Sequence, residues 1–303
     1  MRRALGVSLA LALAAGTAQG QKIGLAVANL QANFFNQIKQ AAEAQGELRG
    51  VEIITVDAKG DGATQVSQVQ DLLTQGIDAL IYIPAGAAAA TVPVKLARRE
   101  GIPVVNVDRN AAGAPGDTFI ATDSVTSAYQ VCRYIIEQAG GEGQMIIVHG
   151  QKGTTPEVDR SQGCGEAISQ FPGVEVVAEQ WSNMWSQDEG FQITQNLLQA
   201  NPDVNLIFAQ ADALALGAAQ AVQVANLPQR IWIAGFDGDT AALEALRDGV
   251  FDVTATQQTQ KMGRMAVDDA IALINGEDRA AIQLQDATLT TEENVQPFIE
   301  NHP

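Results

Sequence analysis

The chain has 303 residues, 46% of them hydrophobic, and sets 35 acidic side chains against 18 basic ones for a net charge of −17. That excess of acid excludes a nucleic-acid or anionic-membrane binder, because both need a basic patch. The length suffices for two modest domains, each with its own core.

Residues 1–20, MRRALGVSLALALAAGTAQG, combine a charged start at Arg2 and Arg3, an apolar middle from Leu5 to Ala15, and a small-residue end. This is the layout of a secretory signal, with an apolar core too short to span a bilayer. No cysteine directly follows the apolar block, and no later stretch is long and apolar enough to cross a membrane. The expectation is export to the periplasm as a soluble protein. Without Arg2 and Arg3, 16 basic residues remain against 35 acidic ones.

From residue 22 short apolar runs alternate with longer helical patterns. IGLAVA (Ile23–Ala28), EIITVD (Glu52–Asp57), DALIYI (Asp78–Ile83) and PVVNVD (Pro103–Asp108) read as strands leading toward TFIATD, with helices such as FFNQIKQAAEAQGEL between them. After Asp123 the pattern restarts with MIIVHG, VEVVAE, VNLIFAQ, IWIAGFD and FDVTATQ. Alternating strands and helices imply βαβ units and parallel sheets. Five strands, a reset and five more predict an α/β protein of two similar doubly wound domains joined by a multi-strand hinge. The expected division is 21–122 plus 258–286 for the first domain and 123–257 plus 287–303 for the second.

Ligands of open parallel sheets bind beyond the carboxyl ends of the strands. The residues there are Asn29, Asp57, Pro84 and Asp108-Arg109 in the first half, and His149, Gln210, Asp237 and Gln257 in the second. A carboxylate beside a guanidinium offers acceptors and a fork of donors, which suits vicinal hydroxyls; a strand-end ion pair is the plainer alternative. Enzymatic motifs are missing: there is no G-x-G-x-x-G after a strand, and GQKGTT (Gly150–Thr155) lacks the Gly-Lys-Ser/Thr ending of a phosphate loop. His149 reads as a locally bonded strand-end residue and His302 lies in a polar tail, so a histidine triad has few ways to assemble. No metal-ligand or redox spacing occurs. Cys132 and Cys164 fall in helical patterns and could pair in an oxidising compartment, which the sequence alone leaves open.

In their order, NFFNQIK, VQDLLTQGID, IPVVNVDR, GTTPEVDRSQG, QNLLQANPDVNLIFAQAD, ALGA and GFDGD resemble the periplasmic sugar-binding proteins of the ribose-binding type, the type I solute receptors of ABC transporters. The resemblance covers about residues 22–290. It implies stacking on the sugar by Phe34, Phe35 and Trp185, hydroxyl contacts from Asp108 and Arg109 in the first domain and Arg160 and Asp237 in the second, and Gln257 at a domain crossing. Asn33 and Asp212 are additional candidates, although Asp212 also reads as an N-cap for the helix after it. Three positions depart from the family: Ala28, Ala32 and Ala211 stand where polar side chains, the last two Asn, are usual. The loss predicts a roomier, less polar pocket and a ligand other than ribose.

The resemblance implies a monomeric receptor that closes on a monosaccharide or sugar alcohol and presents it to ABC permease subunits, with no cofactor and no catalysis. The alternatives are a receptor for a furanose-like signalling molecule, one that serves a chemoreceptor, and an exported α/β enzyme.

Overall fold

A computed structural model describes residues 20–303; residues 1–19, which hold nearly all of the expected export signal, lie outside the described residues. The chain opens with β1 (Lys22–Val27), α1 (Asn33–Arg49), β2 (Glu52–Asp57), α2 (Gly62–Thr74), β3 (Ala79–Tyr82), α3 (Thr91–Arg99), β4 (Val104–Val107) and β5 (Thr118–Thr122). There follow α4 (Ser124–Gln138), β6 (Glu142–His149), α5 (Thr155–Ile168), β7 (Gly173–Trp181), α6 (Gln187–Ala200), β8 (Leu206–Ala209), α7 (Asp212–Ala225), β9 (Trp232–Ala234), α8 (Thr240–Arg247) and β10 (Thr254–Thr256). The last elements are α9 (Thr259–Ile274), β11 (Ile282–Gln285), β12 (Thr288–Thr290) and α10 (Gln296–Glu300).

Two parallel sheets result, ordered β11-β5-β4-β3-β1-β2 and β7-β6-β8-β9. In each, the first strand lies between the second and the third, so each has a switch point where the loops after neighbouring strands part. The central strands β3, β4 and β8 are buried throughout. Helices cover both of their faces, which is why they read as continuous apolar runs. The edge strand β7 is partly exposed along its length. The even count of five strands per half needs correction. The first sheet gains a sixth strand, β11, from beyond residue 280, while β10 pairs antiparallel with β12 and meets the second sheet through single bridges.

Helices α1 and α9 close one face of the first sheet, with Phe34, Ile38 and Ala42 meeting Met262, Ala266 and Val267. Val69 and Leu72 of α2 and Val94 and Ala97 of α3 cover the other face. In the second lobe α6, α7 and α8 pack on one face and α4 and α5 on the other. A disulfide joins Cys132 of α4 to Cys164 of α5, with Cα atoms 5.3 Å apart, which answers the pairing question the sequence left open.

The chain passes between the lobes three times: from β5 into α4, from β10 into α9, and from β11 into β12. The crossings are bonded to one another. Asp123 N donates to Gln285 O at 2.9 Å, Gln258 Nε2 to Asp286 O at 2.7 Å, and Thr122 Oγ1 to Gln257 Oε1 at 2.5 Å. Three short crossings side by side permit bending and resist twisting, the geometry of a hinge.

Candidate ligand-binding cleft

A cavity of about 780 Å³ lies between the lobes, beyond the carboxyl ends of both sheets. From the first lobe it is lined by Ala28, Asn29, Asn33, Phe34, Phe35, Asp108 and Arg109, and from the second by Gln151, Arg160, Trp185, Asp237 and Asp239 among others. The lobes also touch around its mouth: Asn110 N donates to Thr155 Oγ1 at 3.0 Å, and Gly60 lies against the methyl end of Met184.

Asp108 directly follows β4 with φ 60°, and its carboxylate sits 3.5 Å from Arg109 Nε. Arg109 does not face water as a strand-end arginine would; it is 5% exposed. Its Nη1 donates to Pro84 O at 3.1 Å and reaches Gln151 Oε1 of the other lobe at 3.5 Å. Its guanidinium carbon lies 5.1 Å from the centre of the Phe35 ring and 5.6 Å from that of Trp185. These are cation–π distances. Phe34 and Phe35 meet edge to face at 5.2 Å and belong to the core of the first lobe as well as to the cavity wall.

The second lobe answers with Arg160 from α5. Its Nη2 is 3.2 Å from Asp237 Oδ1, Nη1 donates to Gln210 O, and the guanidinium stacks 3.8 Å over Phe236. Arg160 also lies 5.6 Å from the Trp185 ring, so this tryptophan sees both arginines. Gly150 makes room for the indole: a Cβ there would come within 1.8 Å of Trp185 Cη2. That close approach gives the first glycine of GQKGTT a purpose other than phosphate binding. The indole Nε1 of Trp185 and Nε of Arg160 are buried without a hydrogen bond inside the protein.

Five non-glycine residues among those described have positive φ, and three of them, Asp108, Trp185 and Asp237, line the cavity. Such backbone costs about 1–3 kcal/mol per residue and gathers where side chains must be aimed. The electrostatics are equally loaded. Burial pushes the Asp108 carboxyl up against the opposing pull of Arg109 and Arg160, and pushes Asp237 well above the usual carboxylate range. Asp212 and Asp239 are raised to about 6 and about 7, in both cases mainly by desolvation.

Phe34, Phe35, Asp108, Arg109, Arg160, Trp185, Asp237 and Asn33 come together on the cavity wall. Two candidates do not. Gln257 is fully buried behind Asp237, donating from Nε2 to Asp237 Oδ1 at 2.8 Å. Asp212 is fully buried too and is not an N-cap: Ala211 holds that position, and the Asp212 carboxylate accepts from Gly238 N, Asp239 N and Thr254 Oγ1. Two donors from a neighbouring turn and one from β10 take the place of the helix's own amides. Of the other strand-end residues, His149 stacks on Trp181 at 4.5 Å and is hydrogen-bonded to Ser161 and Glu179, outside the lining. Asp57 accepts from Leu30 N and Lys59 N, and Gln210 Oε1 from Gly150 N.

The model of the periplasmic binding protein domain matches residues 23–278. The chain belongs to that family. The ribose import binding protein of Bacillus subtilis is 32% identical over 254 residues, covering 84% of this chain and 82% of that protein. A xylitol-binding protein of Mycolicibacterium smegmatis is 29% identical, covering 98% and 86%. Among solved structures, an ABC transporter solute binding protein of Bacillus halodurans with bound myo-inositol superposes with a TM-score of 0.87 at 27% identity, covering 94% of this chain and 99% of that one. These relatives bind sugars or polyols by name, and the solved one shares the two-lobed α/β architecture described above.

Proposed function

We propose that the protein is the periplasmic receptor of a carbohydrate ABC importer, closing its lobes on an uncharged monosaccharide or sugar alcohol and passing it on unchanged to permease subunits. One observation carries the reading: each lobe contributes an Asp–Arg pair to one cavity, and Phe35 and Trp185 bring flat aromatic surface to the same place. A sugar has apolar C–H faces that rings can cover and a hydroxyl girdle that carboxylates and guanidinium groups can bond. A hydrogen bond to a charged group contributes about 1.5–3 kcal/mol. Four such groups can therefore supply the roughly −8.2 kcal/mol of a micromolar complex and offset the cost of ordering.

Because the ligand touches both lobes at once, it stabilises the shut arrangement over the open one. Residues 1–20 serve in this reading as the export signal. The engagement of both His149 ring nitrogens outside the cavity favours binding over acid–base turnover.

A thermal-shift panel of pentoses, hexoses, inositols and linear polyols tests the proposal, since a ligand that binds only the native form raises its melting temperature. The expected result is a shift with a subset of these, and calorimetric heat that saturates. No shift with any polyhydroxy compound, or heat that continues as turnover, would overturn it.

A further inference from the structure

Asp239 is the second aspartate of the GFDGDTAAL stretch (Gly235–Leu243), directly before a helical pattern. It occupies the N-cap of α8 with extended backbone, φ −61° and ψ 142°. Asp is favoured there because its carboxylate accepts from the first free helix amides. Here the side chain makes no capping bond. Its Oδ1 is buried with no hydrogen-bond partner inside the protein, and the residue lines the cavity. The backbone is held independently, since Asp239 N donates to Asp212 Oδ2 at 3.0 Å. The turn is thus fixed by its neighbour, and Oδ1 is left free for the cleft.

The surroundings say what such a carboxylate can meet. Burial and the Asp212 charge push it up to about 7, while the Asn33 amide of the first lobe favours its ionised form. Leu216, Thr240, Ala241 and Glu244 continue the cavity on the same side. Ala32 and Ala211 line it as well, where the family pattern has larger polar side chains. The Asp108–Arg109 and Arg160–Asp237 pairs balance in charge, and Asp239 stands outside that balance. An unpartnered buried acceptor costs about 1–3 kcal/mol, a cost that a donor on a ligand would relieve.

Resting on the receptor function above, we propose that Asp239 is a specificity-determining ligand contact that accepts a hydrogen bond from the outermost hydroxyl of polyols too long or too wide to be an aldopentose ring. Xylitol in its extended form and myo-inositol are of that class, and D-ribose serves as the compact comparison.

Isothermal calorimetry at pH 7.5 on the wild type, Asp239→Ala and Asp239→Asn tests it with those three probes. The wild type is expected to bind xylitol or myo-inositol more tightly than D-ribose. Both variants should lose about 10- to 100-fold in affinity for that polyol, and less than about threefold for D-ribose. Their ligand-free melting temperatures should equal or exceed the wild type's, because an uncompensated carboxylate has been removed. Equal loss for all three probes, or no loss, overturns the assignment and leaves the receptor function standing. A fall in ligand-free melting temperature in both variants makes Asp239 a folding residue and also overturns it. Failure of the wild type to bind any of the three, or any other sugar or polyol, removes both readings.

Discussion

In the first lobe a carboxylate follows the fourth strand of a parallel sheet, Asp108 after β4, and in the second Asp237 follows β9, again the fourth strand; both have positive φ. The guanidinium groups that meet them come from different places. Arg109 is the next residue in the chain and leans on Phe35, Pro84 O and the opposite lobe's Gln151. Arg160 comes from a helix stapled to its neighbour by the Cys132–Cys164 bridge, and the Asp237 it meets is also held by Gln257. The second lobe's half of the site is built from within, whereas the first lobe's half is completed partly by contacts that exist only when the lobes meet. In the proposed receptor the second lobe would therefore serve as the platform and the first as the jaw.

The largest effect expected from this difference separates the two arginines. Arg160→Ala should lower stability by about 3–5 kcal/mol, because Asp237 would be left buried beside Asp212, Asp239 and Asp108 without its cation. Ligand binding should disappear with it. Arg109→Ala should abolish most binding as well but cost only about 1–3 kcal/mol of stability, since Asp108 keeps the attraction of Arg160. Equilibrium denaturation of both variants beside calorimetry checks the ranking. Equal stability losses would break the platform-and-jaw distinction.

The bridge sharpens the same contrast. It joins residues 32 apart within the second lobe, a constraint worth about 3.7 kcal/mol on the chain-entropy account. Replacing both cysteines by Ser should lower the denaturation midpoint accordingly, with ligand affinity nearly unchanged while the protein is folded. A large affinity loss would show that the bridge shapes the site and not merely the lobe.

Buried acids mark the second lobe too. Asp212 and Asp239, raised to about 6 and about 7, hold protons in the folded state at pH values where the unfolded chain has released them. More protons on the folded form mean that stability falls as pH rises, here between about 4 and 7. Asp237 and Asp252 of the same lobe and Asp108 of the other are shifted in the same direction. Denaturation midpoints of the ligand-free protein at pH 5 and pH 7.5 read this out, and Asp239→Asn should flatten the slope. A rise in stability across that window would contradict the burial of these groups.

The parts legible in sequence were those set by burial and periodicity. Strands such as β3 and β4, covered on both faces, show as unbroken apolar runs, and the residues just past them mark the cavity mouth by topology alone. Trp185 was accessible only through the resemblance, because its place depends on Gly150, thirty-five residues away, offering a bare backbone for the ring. Asp212 and Asp239 were hidden for a shared reason. An acid before a helical pattern reads as a cap, and only the fold shows that Asp212 instead holds the Gly238–Asp239 turn, which frees Asp239. Gln151 lay concealed in an unconvincing phosphate motif. His302, read as part of a polar tail, bonds Gly238 O at 2.8 Å and Thr259 Oγ1 at 3.3 Å, contacts no local pattern could suggest.

The smallest expected effect belongs to the link between platform and hinge. Gln257 touches no cavity space, yet its amide holds Asp237 with one end and receives the Thr122 hydroxyl with the other. It therefore ties the second lobe's carboxylate to two of the three crossings, so that the orientation of Asp237 and the hinge angle are coupled through one side chain. Gln257→Ala should weaken binding by about five- to tenfold, near 1–1.4 kcal/mol. Gln257→Glu should do worse, because a second acid would face Asp237 in a dry setting. The informative measurement is the pair of rates: loss of positioning alone raises the ligand's off-rate, whereas a slackened hinge also slows closure and lowers the apparent on-rate. A Gln257→Ala protein with wild-type rates would mean that Arg160 alone fixes Asp237, and that the platform is independent of the hinge.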